Sequence, residues 1–283
     1  SDSRGIGGIY RTERNATAAG RVVEWAASST SEREEAQMYD GILAETVTIE
    51  GHDGLAIPAY LARPLGPGPY PGVVVIHHMP GYDPSTKEIA RTFSTQGYVA
   101  ICPNLHHQYA PGAEPGEAAM ATREAGGVPD ADCIADVAGA IDHLRSLTYS
   151  SGKVGVIGYC SGGRQAYIVA CNLELDAAVD CYGGRVVAAP DELTERQPVS
   201  PVDMTPKLSC PLLGLFGAED RNPSPEMMQQ VEGVLQANGK EYEFHTYEGA
   251  GHAFFSVDRP MYNVAAALDG WQKIWDFFGK HLA

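Results

Sequence analysis

Six apolar runs constrain the fold of this chain more than any other feature. They are GVVVIHH (72–78), YVAIC (98–102), KVGVIGYC (153–160), DAAVDCY (176–182), PLLGLFG (211–217) and EYEFHTY (241–247). Runs of this length suit strands covered on both faces, as in a parallel sheet. Helical patterns separate them. Over 131–147, Ile134, Val137, Ile141 and Leu144 recur at three- and four-residue spacing, with Asp130 and Asp132 near the start and Arg145 near the end, as the helix dipole favours. In the last segment Val264, Leu268, Trp271, Trp275, Phe278 and Leu282 form one stripe and are expected to face the core. Strands alternating with helices predict an α/β fold, a mostly parallel doubly wound sheet. Ahead of it TVTIE alternates, HDG signals a turn and LAIPAYLARP follows, so an N-terminal antiparallel hairpin is expected.

This pattern fills residues 41–283 and predicts a single domain there. Residues 1–40 are different: rich in Ser, Ala, Glu and Arg, with an apolar heart only at AGRVVEWAA. They read as an arm, partly helical, that packs on the body or joins a homo-oligomer, or else as a loosely ordered tail. Net charge is −16, which argues against nucleic acid or an anionic membrane as a partner. No long uncharged apolar run predicts a membrane span, and the first residues lack an apolar signal core. Six cysteines without a Cys-x-x-Cys spacing favour neither a disulfide framework nor a zinc site of that kind. A reducing, cytoplasmic setting is the expectation.

Two connections, 103–129 and 183–209, are long and rich in Pro, Gly and polar residues. Long loops in a compact domain are usually functional or disordered, and loops after parallel strands surround the ligand crevice. The chemistry centres on KVGVIGYCSGGRQAYIVA, which reads strand, tight turn, helix. Gly158 and Gly162 flank Cys160 at −2 and +2, the pattern of a nucleophile elbow with sulfur in place of hydroxyl. Such a turn lifts the nucleophile above the sheet at a helix N-terminus, where a thiol becomes more acidic. Taken alone, the motif fits a tightly packed turn equally well, since cysteine is among the most buried residue types. An elbow also needs an acid and a base at later strand ends, in that chain order. The loop after PLLGLFG carries Glu219 and Asp220, and the Gly-rich loop after EYEFHTY carries His252. Each has a plainer reading, Asp220 as a helix cap and His252 as a surface loop residue. The order Cys160, Asp220, His252 at successive strand ends favours a triad.

PGVVVIHHMPGY, GYVAICPNL, APG, GKVGVIGYCSGG, FGAEDRNPSP and GAGHAF, in this order over about residues 45 to 283, resemble the dienelactone hydrolase (carboxymethylenebutenolidase) family of α/β-hydrolases. The resemblance implies an α/β-hydrolase fold and hydrolysis of an ester or lactone, with no cofactor or metal. It maps a Cys-His-Asp triad onto Cys160, His252 and Asp220, and an oxyanion hole onto the N–H groups of Met79 and Ser161. The chain departs from the family at three places. His78 stands where the family has a glutamate that holds the resting thiol; a pocket role for His78 is the reading favoured here. The family's two substrate-binding arginines correspond to the stretch HHQY (106–109) and to Ser256, and neither is present. His106, His107 and Tyr109 are therefore expected to line the substrate pocket, with a less anionic substrate than dienelactone. Arg164 and Arg185 could replace the missing cations, but roles on the helix surface and in the loop are the expectation. The pairs His77–His78 and His106–His107 invite a metal reading, yet neighbours on a strand point to opposite faces and do not share one ion easily. His52, His143, His245 and His281 are assigned nothing. Hydrolysis of another acyl group, a thioester or amide, or non-catalytic ligand binding are the alternatives.

Overall fold

The structure, a computed structural model, describes residues 41–283. The arm expected over residues 1–40, and any oligomer contact through it, lie outside the described residues. Eight strands form one sheet: β1 (Ile42–Glu50), β2 (Ala56–Pro64), β3 (Tyr70–Ile76), β4 (Val99–Pro103), β5 (Ser150–Tyr159), β6 (Ala177–Cys181), β7 (Leu212–Gly217) and β8 (Tyr242–Tyr247). Their order is β1-β2-β4-β3-β5-β6-β7-β8. β1 and β2 are an antiparallel hairpin and β2 meets β4 antiparallel; β3 to β8 run parallel. Among the described residues six α-helices cover the faces: α1 (Pro84–Thr95), α2 (Pro115–Glu124), α3 (Asp130–Ser146), α4 (Ser161–Asn172), α5 (Pro225–Ala237) and α6 (Val264–Leu282). The strands β4, β6 and β7 are buried along their whole length, as continuous apolar runs require. β8, at the edge, has only partly buried and exposed positions. No helix among the described residues is long and apolar enough to cross a membrane.

Two expectations need correction. The stretch 103–129 is not all loop, because Pro115–Glu124 is α2. The apolar stripe expected on α6 holds at Trp271, Trp275, Phe278 and Leu282, which are buried in or packed against the core, but not at Val264 and Leu268, which are 57% and 64% exposed; there Ala266, Ala267 and Gly270 face inward. Small residues make this possible. A Cβ on Gly270 would lie 2.5 Å from the Phe255 ring, so the first half of α6 is packed by close approach rather than by bulk.

α1 begins with Asp83, whose carboxylate accepts a hydrogen bond from Thr86 N–H at 2.8 Å and pairs with His78 Nε2 at 2.7 Å. Burial pushes the Asp83 carboxyl up, but the bonds from His78 and Thr86 outweigh it and bring it down to about 2. A carboxylate depressed on folding stabilises the fold above its unfolded value and loses that contribution as pH falls through the folded one. Asp83→Ala is therefore expected to cost about 1–2 kcal/mol near neutrality, within the range of a lost N-cap. Thermal unfolding of both proteins should show the gap closing between about pH 4 and about pH 2.

Candidate active site

The strands β3, β5, β7 and β8 deliver the site residues from their C-terminal ends. Cys160 sits between β5 and α4 with φ 57° and ψ −120°, a conformation that costs energy for any L-residue other than glycine. The strain persists because the turn around it leaves no room for side chains. A Cβ on Gly158 would lie 1.8 Å from the Gly162 carbonyl oxygen, and one on Gly162 would lie 2.4 Å from the Ile76 oxygen. The motif's glycines therefore let β5 and α4 nearly touch, and the sulfur stands at the N-terminus of α4.

Asp220 follows β7 and is buried. One carboxylate oxygen accepts a hydrogen bond from Asn222 N–H at 2.9 Å, and the other lies 2.8 Å from His252 Nδ1. His252 also forms a hydrogen bond with Cys160. The Tyr182 ring packs edge-on against the imidazole, with centroids 5.3 Å apart. Burial alone would raise the Cys160 thiol, but His252 and the main-chain N–H groups of Ser161 and Met79 outweigh it and hold the thiol below its ordinary value. Burial lowers His252, yet its bonds to Asp220 and Cys160 raise it to about 10. Both directions favour a thiolate–imidazolium pair at neutral pH. The structure thus brings together Cys160, Asp220, His252, Met79 and Ser161.

The cavity beside the sulfur has a volume of about 460 Å³. Met79, Cys160, Ser161 and His252 line it together with Arg123, Arg164 and Arg185. Both long connections reach it, through Gly126 and Gly127 from one and Gly184 and Gln197 from the other. Arg164 is not on the helix surface: it is 5% exposed and forms a bidentate pair with Asp130 at 2.7 and 3.1 Å. Arg185 reaches the Gln197 side-chain oxygen and the Glu192 carbonyl, and has no carboxylate partner among the described residues. Arg123 likewise has no carboxylate partner among them. Arg123 was not singled out from the sequence. Its only signal was a cation within a long post-strand connection of an acidic chain.

The four residues expected to line the pocket are placed elsewhere. His78 faces a second, apolar cavity with Tyr159, Tyr182, Phe255 and Trp271, and Ser256 lies there too. His106 and His107 line a third, with Tyr82 and Asn104. Tyr109 accepts a hydrogen bond from Arg196 at 2.9 Å and lies 3.4 Å from the Gly127 carbonyl, so it supports the wall of the Cys160 cavity from outside. The reason is the course of the chain after β4. His77 Nδ1–H donates to the His78 carbonyl and its Nε2 accepts from Leu105 N–H, which pins this loop against the end of β3. Burial pushes His77 down to about 4 and His106 to about 3, so both are neutral.

A parallel sheet of this order, with an elbow after β5 and acid and histidine after β7 and β8, defines an α/β-hydrolase. The model of the dienelactone hydrolase family matches residues 57–282, and the chain belongs to that family. A protein of Methylorubrum extorquens named "Putative carboxymethylenebutenolidase" is 31% identical over 251 residues, covering 86% of this chain and 82% of that one. A Bradyrhizobium protein named "Probable 2-oxo-3-(5-oxofuran-2-ylidene)propanoate lactonase" is 28% identical over 244 residues, 84% of this chain and 96% of that one. Among solved structures, a Klebsiella pneumoniae protein described as "Putative Dienelactone Hydrolase" superposes with a TM-score of 0.77 at 30% identity, covering 85% of this chain and all of that one. The chain is an ester or lactone hydrolase.

Proposed function

We propose that the chain hydrolyses a lactone or ester carrying a carboxylate or similar anionic group, through Cys160, His252 and Asp220. The observation that carries the chemistry is the convergence of His252 and the N–H groups of Met79 and Ser161 on the Cys160 sulfur. The thiolate attacks the carbonyl carbon, and the two N–H groups receive the oxyanion. Collapse breaks the bond to the leaving oxygen, which takes the proton from the imidazolium of His252. Water then gives a proton to neutral His252 and attacks the thioester, and the thiolate departs, leaving acid and alcohol. Asp220 holds the Nδ1–H tautomer throughout.

The expectation of a less anionic substrate is revised. It rested on the two family positions that lack arginine, whereas Arg123, Arg164 and Arg185 reach the same cavity from other elements. Arg164 is neutralised by Asp130, so Arg123 and Arg185 are the cations open to a ligand. A guanidinium that lines the cavity without a carboxylate partner pairs well with a ligand carboxylate, a contact a neutral ligand would not make. The test is kcat/KM for matched lactones and esters with and without a carboxylate at about pH 8, where ordinary histidines are neutral. The carboxylate form is expected to win by about tenfold or more, with Arg123→Gln and Arg185→Gln each removing most of that margin. Preference for the neutral form in wild type would contradict the reading.

A further inference from the structure

Three side chains distant in sequence meet where the β1–β2 turn, the loop after β4 and helix α3 converge. They are His52, His107 and Asp136, and one ligating atom of each lies within 4.8 Å of the others. One Asp136 oxygen accepts the His52 main-chain N–H at 2.8 Å and lies 2.7 Å from His52 Nδ1. The other faces His107 Nε2 at 3.5 Å, with side-chain exposures of 8% for His107 and 1% for Asp136. At 3.5 Å that contact is long, and neither atom has a closer hydrogen-bond partner. A buried carboxylate oxygen and a buried ring nitrogen held 3.5 Å apart with no closer partner are poorly satisfied, and that spacing needs an explanation. Their spacing supplies one. Ligands at ~2.0–2.1 Å from a tetrahedral metal stand ~3.4 Å apart. Asp132 adds a carboxylate oxygen 3.8 Å from His52 Nε2, which strengthens the local negative field. The main chain is pressed against the carboxylate as well, since a Cβ on Gly51 would lie 2.4 Å from Asp136 Oδ1.

We propose that His52, His107 and Asp136 bind one divalent transition-metal ion of the zinc type. Two imidazoles and a carboxylate suit such an ion far better than magnesium or calcium, which prefer all-oxygen shells. The ion clasps the hairpin turn and the β4 loop to α3. It takes no part at the thiol, because none of the three residues lines the Cys160 cavity. His107 also lines a cavity of about 520 Å³.

The experiment is calorimetric titration of Zn²⁺ into metal-free Cys160→Ser protein, a background that keeps the reactive thiol from competing. One Zn²⁺ per chain is expected, with no heat from Mg²⁺ and a rise in melting temperature when Zn²⁺ is in excess. His107→Gln and His52→Gln should each weaken binding by at least about tenfold, and His106→Gln should not. Circular dichroism identifies a variant that fails to fold, in which case the other histidine decides. Absence of saturable Zn²⁺ binding, or wild-type affinity in the folded His107 or His52 variant, would overturn the proposal and leave the cluster a purely hydrogen-bonded contact.

Discussion

Cys160→Ala is expected to remove ester and lactone turnover, with kcat falling by roughly 10⁴-fold or more, while melting temperature changes little. The loss is large because the sulfur forms the covalent bond, and nothing else in the cavity can replace it. Stability should be spared because Cys160 is only partly buried, and alanine relieves none of the turn's steric demands. Cys160→Ser is expected to lie close to the alanine variant. Its hydroxyl must lose a far less acidic proton than the thiol, and the thiolate that helps to raise His252 is gone. Rates like wild type in the serine variant would mean that thiolate chemistry is not what the site performs.

Asp220→Asn is expected to lose about 10³- to 10⁴-fold in kcat, comparable to the effect the same change has in serine proteases. The carboxylate accepts from His252 Nδ1 at 2.8 Å, and an amide there can present its NH₂ instead, which stabilises the wrong tautomer. Its other oxygen accepts from the Asn222 N–H at 2.9 Å, a bond the asparagine oxygen can keep. The loss should therefore appear in kcat rather than in folding. Glu219→Gln, one residue earlier, is the control and should leave kcat within about twofold. An inverted outcome would place the acid at Glu219.

The fold was legible because its signals are local. Six apolar runs correspond to β3–β8, and the hairpin was marked by alternation around HDG. The elbow was legible for the same reason: a nucleophile flanked by glycines at −2 and +2 states a steric requirement that the structure meets at Gly158 and Gly162. What the chain does after β4 was not. HHQY, aligned against the family, pointed at the substrate, but the bonds of His77 to Leu105 and His78 turn that loop toward other cavities. Arg164 reads as an exposed residue on a helix until Asp130, 34 residues away, is seen to bury it. The α6 stripe misled only at Val264 and Leu268, where apolar bulk was counted but Ala267 and Gly270 make the contact by being small. His52 and Asp136 meet across 84 residues, and no local pattern carries a pairing of that kind. In each case the missing information was a long-range contact between residues of ordinary local appearance.

Acylation of Cys160 is measurable by mixing the Asp220→Asn protein with an activated aryl ester and recording intact mass and peptide masses during the first turnovers. Loss of the oriented histidine slows water attack, so acyl-enzyme should accumulate. One acyl group per chain is expected, released by hydroxylamine and located on Cys160. An acyl group on Ser161, or product formed in a burst with no adduct at Cys160, would contradict it.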